Sequence, residues 1–278
     1  MDTNKDENTT YSAKNTFKYE DIIDFESELK NDDDYKMVFE NKEKKLKMFH
    51  KTEGEGSEGI KKRHKFYGYI DEDIDLVYAT MRDSKFRTTW DTRALANILE
   101  EVIETANPVC GIQTMRKLGQ YVVSNREFLS MTTSIQVPLN LKFEDGDAAH
   151  SYYFLTKSID DLDDKYPPHA DFVRGFIHYF KLKIEPARVK KGFTKATTKF
   201  SGVIAIDMAG WVPTYAYNWG VTYLPQEYQE NIMKGCAARK EDNRTAEEWI
   251  KQDPLLNIMP VEELKKFRAA KRKMKKKK

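Results

Sequence analysis

The chain has 278 residues, 40% hydrophobic and 33% charged, which suits one large domain with a sizeable core, a solvated surface and tails. Its longest uncharged run, Met208 to Gln226, holds two prolines and several polar residues. That excludes the roughly 20 predominantly apolar residues of a membrane-spanning helix, and the first seventeen residues contain no apolar signal core.

Charge is unevenly spread. The formal total is +2, but residues 265–278 hold ten Lys or Arg and no acid, which leaves −8 on residues 1–264. The two cysteines, Cys110 and Cys236, lack metal or redox spacing and read as free buried thiols in a reducing compartment.

In chain order, residues 1–17 are polar and aperiodic and are expected to be disordered. Tyr19, Ile22, Ile23, Phe25 and Leu29 then recur at helical spacing, predicting a helix over 19–29. Short strands follow near 35–40 and 45–50, and GEGSEG (54–59) reads as a turn before a strand at 63–70. Asp73 or Asp75 is the expected N-cap of a short helix. Strands are predicted near 98–105, 112–118, 127–139, 151–158, 172–184 and 199–208, separated by Gly, Pro and Asp. From Pro213 to about Ala238 the pattern is helical, with a bend expected near Leu224 because Pro225 interrupts it. Short helical pieces follow around 247–250 and 261–264. Strands grouped together with helices at the ends predict an α+β fold.

Two strands carry more detail. In 172–184, Phe176, His178, Phe180, Leu182 and Ile184 alternate onto one face. In 127–137, Phe128, Ser130, Thr132 and Ser134 share a mixed face, either lining a cavity or facing solvent, while Leu129, Met131, Thr133, Ile135 and Val137 share the other.

Five stretches resemble one known family: FYGYID (66–71), MRDSKFRTTWD (81–91), SNREF (124–128), DFVRGFIHY (171–179) and DMAGWVPTYAYNW (207–219). In this order, within residues 20–240, they resemble the START lipid-transfer family. The resemblance implies a helix-grip fold, a curved antiparallel sheet around a long C-terminal helix with an internal lipid cavity. It implies a domain over 18–240, flanked by a disordered segment 1–17 and an extension 241–278 with a polybasic tail.

It also implies a non-enzymatic carrier that moves one phospholipid between membranes, or else a sensor or tether that binds lipid without transferring it. Burying each methylene is worth roughly 0.8 kcal/mol, so a lipid with about 30 of them needs a dry chamber worth on the order of 24 kcal/mol. By the resemblance, Arg87 contacts phosphate with Asp91 nearby; their spacing of four also allows a structural ion pair on one helical face. The positions that form an aromatic choline cage in the family's choline-lipid carriers are here Met81, Met115, Phe128 and Leu182. Only Phe128 is aromatic, which argues for a broader phospholipid specificity. His178 and Tyr217 complete the candidate lipid-binding set. Candidate membrane-contact residues are Leu118, Tyr121, Val122 and Val123 in one loop, with Trp219, Tyr223 and Leu224 in the helix after Pro213.

The basic tail is read as a contact for anionic membrane surfaces, a nuclear or nucleic-acid signal, or a solvated tail. No nucleophile elbow, zinc motif or phosphate-binding glycine loop is present. No cofactor, metal or nucleic-acid partner is expected, and the chain is expected to be a cytoplasmic monomer that visits membranes transiently.

Overall fold

The computed structural model describes residues 16–56, 59–119, 123–143, 145–159, 162–189 and 192–276. The predicted elements form in the predicted order. Helix α1 (Glu20–Lys30) leads into strands β1 (Lys36–Asn41), β2 (Leu46–Gly56) and β3 (Gly59–Ile70), then helices α2 (Ile74–Arg82) and α3 (Ser84–Trp90). A long run follows: β4 (Ala94–Ile103), β5 (Cys110–Lys117), β6 (Arg126–Lys142), β7 (Ala148–Ser158), β8 (Val173–Arg174), β9 (Phe176–Val189) and β10 (Gly192–Asp207). Helix α4 (Thr214–Lys240), helix α5 (Ala246–Lys251), strand β11 (Leu256–Ile258) and helix α6 (Val261–Lys276) complete the chain.

Local chemistry starts the short helices. Asp73 caps α2 by accepting from the backbone N–H groups of Asp75 and Leu76, and Asp83 caps α3 in the same way. In α5, Thr245 and Glu248 form a reciprocal capping box. Pro225 lies inside α4 without ending it.

The strands build one sheet in the order β1-β2-β3-β10-β9-β7-β6-β5-β4, antiparallel throughout. β8 and β11 pair in parallel with opposite ends of β6, where β7 and β5 respectively leave an edge open. Between β3 and β10 two glycines let rings cross between strands. Phe200 pairs with Gly68 and Phe66 with Gly202; a Cβ on either glycine would lie 2.2 Å from the facing ring.

Two apolar clusters flank the sheet. One joins α2, α3 and α4 to the concave face through Ile74, Val77, Trp90, Leu182, Phe200 and Ile232. The other covers the convex face, where Ile22 and Phe25 of α1 and Phe267 of α6 pack on Leu129, Met131 and Tyr153.

Three expectations change. Phe17, placed in the disordered segment, is buried in the convex cluster, while residues 1–15 lie outside the described residues. The single strand expected over 172–184 is broken at Gly175, where a Cβ would lie 2.5 Å from the Phe128 ring. The extension after residue 240 is packed into the domain: Trp249 is buried, β11 extends the sheet, and Lys271 pairs with buried Glu26. Apolar positions 264, 267 and 274 give α6 a stripe that needs covering, and the convex face supplies it.

Candidate functional site

Between the concave face and α2, α3 and α4 lies a cavity of about 480 Å³, within the range of small-molecule sites. Strand alternation decides what it sees. Residues 113, 115 and 117 of β5 and 126, 128 and 130 of β6 line it, while Ile112, Leu129 and Met131 turn to the convex cluster. The wall is mostly apolar, with Met48, Phe66, Ile70, Phe180, Leu182, Phe200 and Ile204 along the sheet and Ala216, Gly220 and Ile232 from α4. The mixed face of β6 therefore reaches the cavity through Phe128 and Ser130, joined by Thr156 of β7.

Polar groups gather in one part of the wall. Asp91, 3% exposed, accepts from Arg87 Nε at 3.1 Å and from the Lys117 ammonium. Arg87 also donates to the Tyr228 hydroxyl at 3.2 Å. Arg93 donates to Glu227 at 2.7 Å, and Thr92 donates to the same carboxylate at 2.9 Å. Burial opposes the charge on Asp91, yet Lys117 and Arg87 hold its carboxyl below its usual range. Burial, reinforced by Arg87, pushes the Lys117 ammonium down to about 8 despite Asp91.

Among the expected lipid-binding residues, Met81, Arg87, Asp91, Met115, Phe128 and Leu182 line this one cavity. His178 does not, because β9 carries a bulge: Ala205 pairs with Tyr179 and Ile206 with Ile177, leaving His178 between them without a partner residue. One extra residue flips the alternation. Ile177 takes the cavity face in its place, and the His178 ring lies 5.0 Å from Phe176. Tyr217 lies on α4, but its side chain is outside the described set.

Leu118 and Val123 line the cavity where β5 ends, and Leu118 and Tyr223 are exposed. Tyr121 and Val122, and the side chains of Trp219 and Leu224, are outside the described set. Two exposed aromatics, Trp211 (74% exposed) and Tyr215 (62%), flank the cavity-lining Val212 and Ala216. Arg126 was missed as a site residue. It is 2% exposed, lines the cavity, and donates to three backbone carbonyls: Met208 at 2.5 Å, Ser124 at 2.7 Å and Ala209 at 3.0 Å.

A sheet that curls around a long helix and leaves a hollow between them defines the helix-grip class of domain. A family model described as START domain matches residues 47–242. The chain belongs to the START domain family. No curated protein sequence matches it. Among solved structures, human STARD10 superposes with a TM-score of 0.64 at 15% identity, covering 89% of this chain and 93% of that one. Human StAR-related lipid transfer protein 5 gives 0.56 at 15% identity, covering 80% and 100%. The human StarD13 (DLC2) lipid transfer and protein localization domain gives 0.52 at 15%, covering 79% and 98%. At such identities the likeness is one of fold.

Proposed function

We propose that the chain is a non-enzymatic carrier that encloses one phospholipid and moves it between membranes. The observation that carries this is the cavity itself, an apolar chamber whose charged groups are concentrated around Arg87, Asp91 and Lys117. Acyl chains gain from the apolar wall as they would in a bilayer, at roughly 0.8 kcal/mol per methylene. The polar head needs hydrogen bonds once out of water, and the Arg87 guanidinium is suited to a phosphate oxygen.

Leu118, Trp211, Tyr215 and Tyr223 expose apolar or aromatic surface near the mouth, the chemistry of a membrane-interface contact. Among the described residues no helix is long and apolar enough to cross a membrane, so the contact is interfacial. The exposed basic residues of α6 supply a second attraction toward anionic surfaces.

The test is exchange of labelled phospholipid between donor and acceptor vesicles. Exchange that rises with protein concentration supports the carrier. Stable lipid binding without exchange would instead make the domain a sensor or tether, the reading that α6, docked on the opposite face from the cavity, favours.

A further inference from the structure

The wall of the cavity carries an imbalance that a phospholipid of zero net charge leaves in place. Among the described residues, four cationic side chains line it (Arg87, Arg93, Lys117 and Arg126) against two carboxylates (Asp91 and Glu227), an excess of two positive charges. Both carboxylates are engaged, Asp91 by Arg87 and Lys117, Glu227 by Arg93 and Thr92.

The excess is concentrated by register. Lys117 of β5 and Arg126 of β6 are direct cross-strand partners, and both line the cavity. Residues so paired hold their Cβ atoms about 4.5–5.5 Å apart on one face, and like charges there repel. Arg126 donates to three neutral backbone carbonyls, and Lys117 shares its carboxylate with Arg87. Buried charge without full compensation is costly unless an opposite charge arrives.

We infer that Lys117 and Arg126 form an anion-binding pair at the mouth end of the cavity, selecting a lipid whose head group is net negative. This rests on the proposed carrier role and narrows its substrate class. A phosphate monoester, or a phosphodiester without an attached amine, satisfies both cations beside Arg87. A choline or ethanolamine head brings a further positive charge to a wall whose two carboxylates are already engaged. The low position of the Lys117 ammonium, about 8, is the strain expected before such an anion binds.

The test incubates the full chain with vesicles of equal parts phosphatidylcholine and phosphatidic acid, re-isolates the protein and quantifies bound lipid by native mass spectrometry. Phosphatidic acid is expected in about tenfold excess, the value of one charge-assisted contact. Lys117→Gln should erase the preference, and it leaves α6 untouched, so attraction to the anionic vesicle is constant. Arg126→Lys, which keeps the charge, should retain the preference and guards against a folding defect in a harsher variant. Equal or greater recovery of phosphatidylcholine would overturn the inference alone. Recovery of no lipid at all would overturn the carrier role with it. Displacement of the lipid by inorganic phosphate would assign the pair to a free anion and overturn the lipid selection.

Discussion

Arg87 and Lys117 converge on one carboxylate, so their loss should differ in kind. Arg87→Leu leaves Asp91 paired with Lys117 and removes a donor that lines the cavity. Co-purified phospholipid should fall about tenfold. An unchanged lipid load in a folded Arg87→Leu protein would remove Arg87 from the site. Lys117 faces Arg87, Asp91, Arg93, Arg126, Glu227 and Tyr228 around the same wall. Its charge is lost at moderately alkaline pH, because burial and Arg87 bring it to about 8. A bound anion favours the charged ammonium, so retention of an anionic lipid should be strongest below pH 8 and weaken as the pH rises through it. In Lys117→Arg that decline should vanish, since a guanidinium stays charged. A titration of bound lipid against pH in both proteins checks the sign.

Among the elements, α6 is the one whose sequence and position pull apart. Its composition is that of a solvated basic tail, yet Phe267 is buried and Lys271 reaches Glu26 at 3.1 Å. Glu26 in turn meets Lys183 at 2.9 Å and accepts from the Tyr153 hydroxyl at 2.5 Å. Burial opposes ionisation of Glu26, but Lys183, Lys271 and Tyr153 outweigh it and bring the carboxyl from 4.5 down to about 2. A depressed carboxylate stabilises the fold fully above its unfolded value and progressively less below it. Thermal stability should therefore drop as pH falls from about 4.5 towards 2, and Glu26→Gln should flatten that part of the curve. Phe267→Ala should cost about 3 kcal/mol of unfolding free energy in a denaturant melt. A cost near zero would show that α6 is not part of the folded unit. On the concave side, Gly68→Val should drive the Phe200 ring into the cavity it lines and lower the lipid load while circular dichroism stays unchanged.

Seen as a whole molecule, the sheet separates two surfaces with different partners. The cavity and its aromatic rim belong to the concave side, and the exposed cations of α6, Arg272, Lys273 and Lys275, to the convex side. Replacing these three by Glu should weaken binding to anionic vesicles, because each basic residue near such a surface contributes about 1 kcal/mol. Raising salt should weaken the native protein's binding in the same direction. Vesicle co-sedimentation measures both, and no dependence on either would leave α6 with a purely structural role.

What the sequence determined by itself was whatever depends on neighbours a few residues apart. The period-2 runs, a cap at Asp73 or Asp75, the helix after Pro213 and the order of the family's motifs were legible because they need no long-range partner. The resemblance those motifs carry brought Met81, Arg87, Asp91, Met115, Phe128 and Leu182 to notice, and all six line one cavity. Tertiary structure decided the rest. His178 leaves the cavity face because one extra residue in β9 is absorbed as a bulge against β10, which no single strand reveals. Lys117 and Arg126 become opposing charges only once β5 and β6 adopt their register. The basic terminus becomes a packed helix because α1 and the convex face offer its apolar stripe a surface. In each case the deciding free energy comes from contacts between residues far apart in sequence, and local pattern is silent on those.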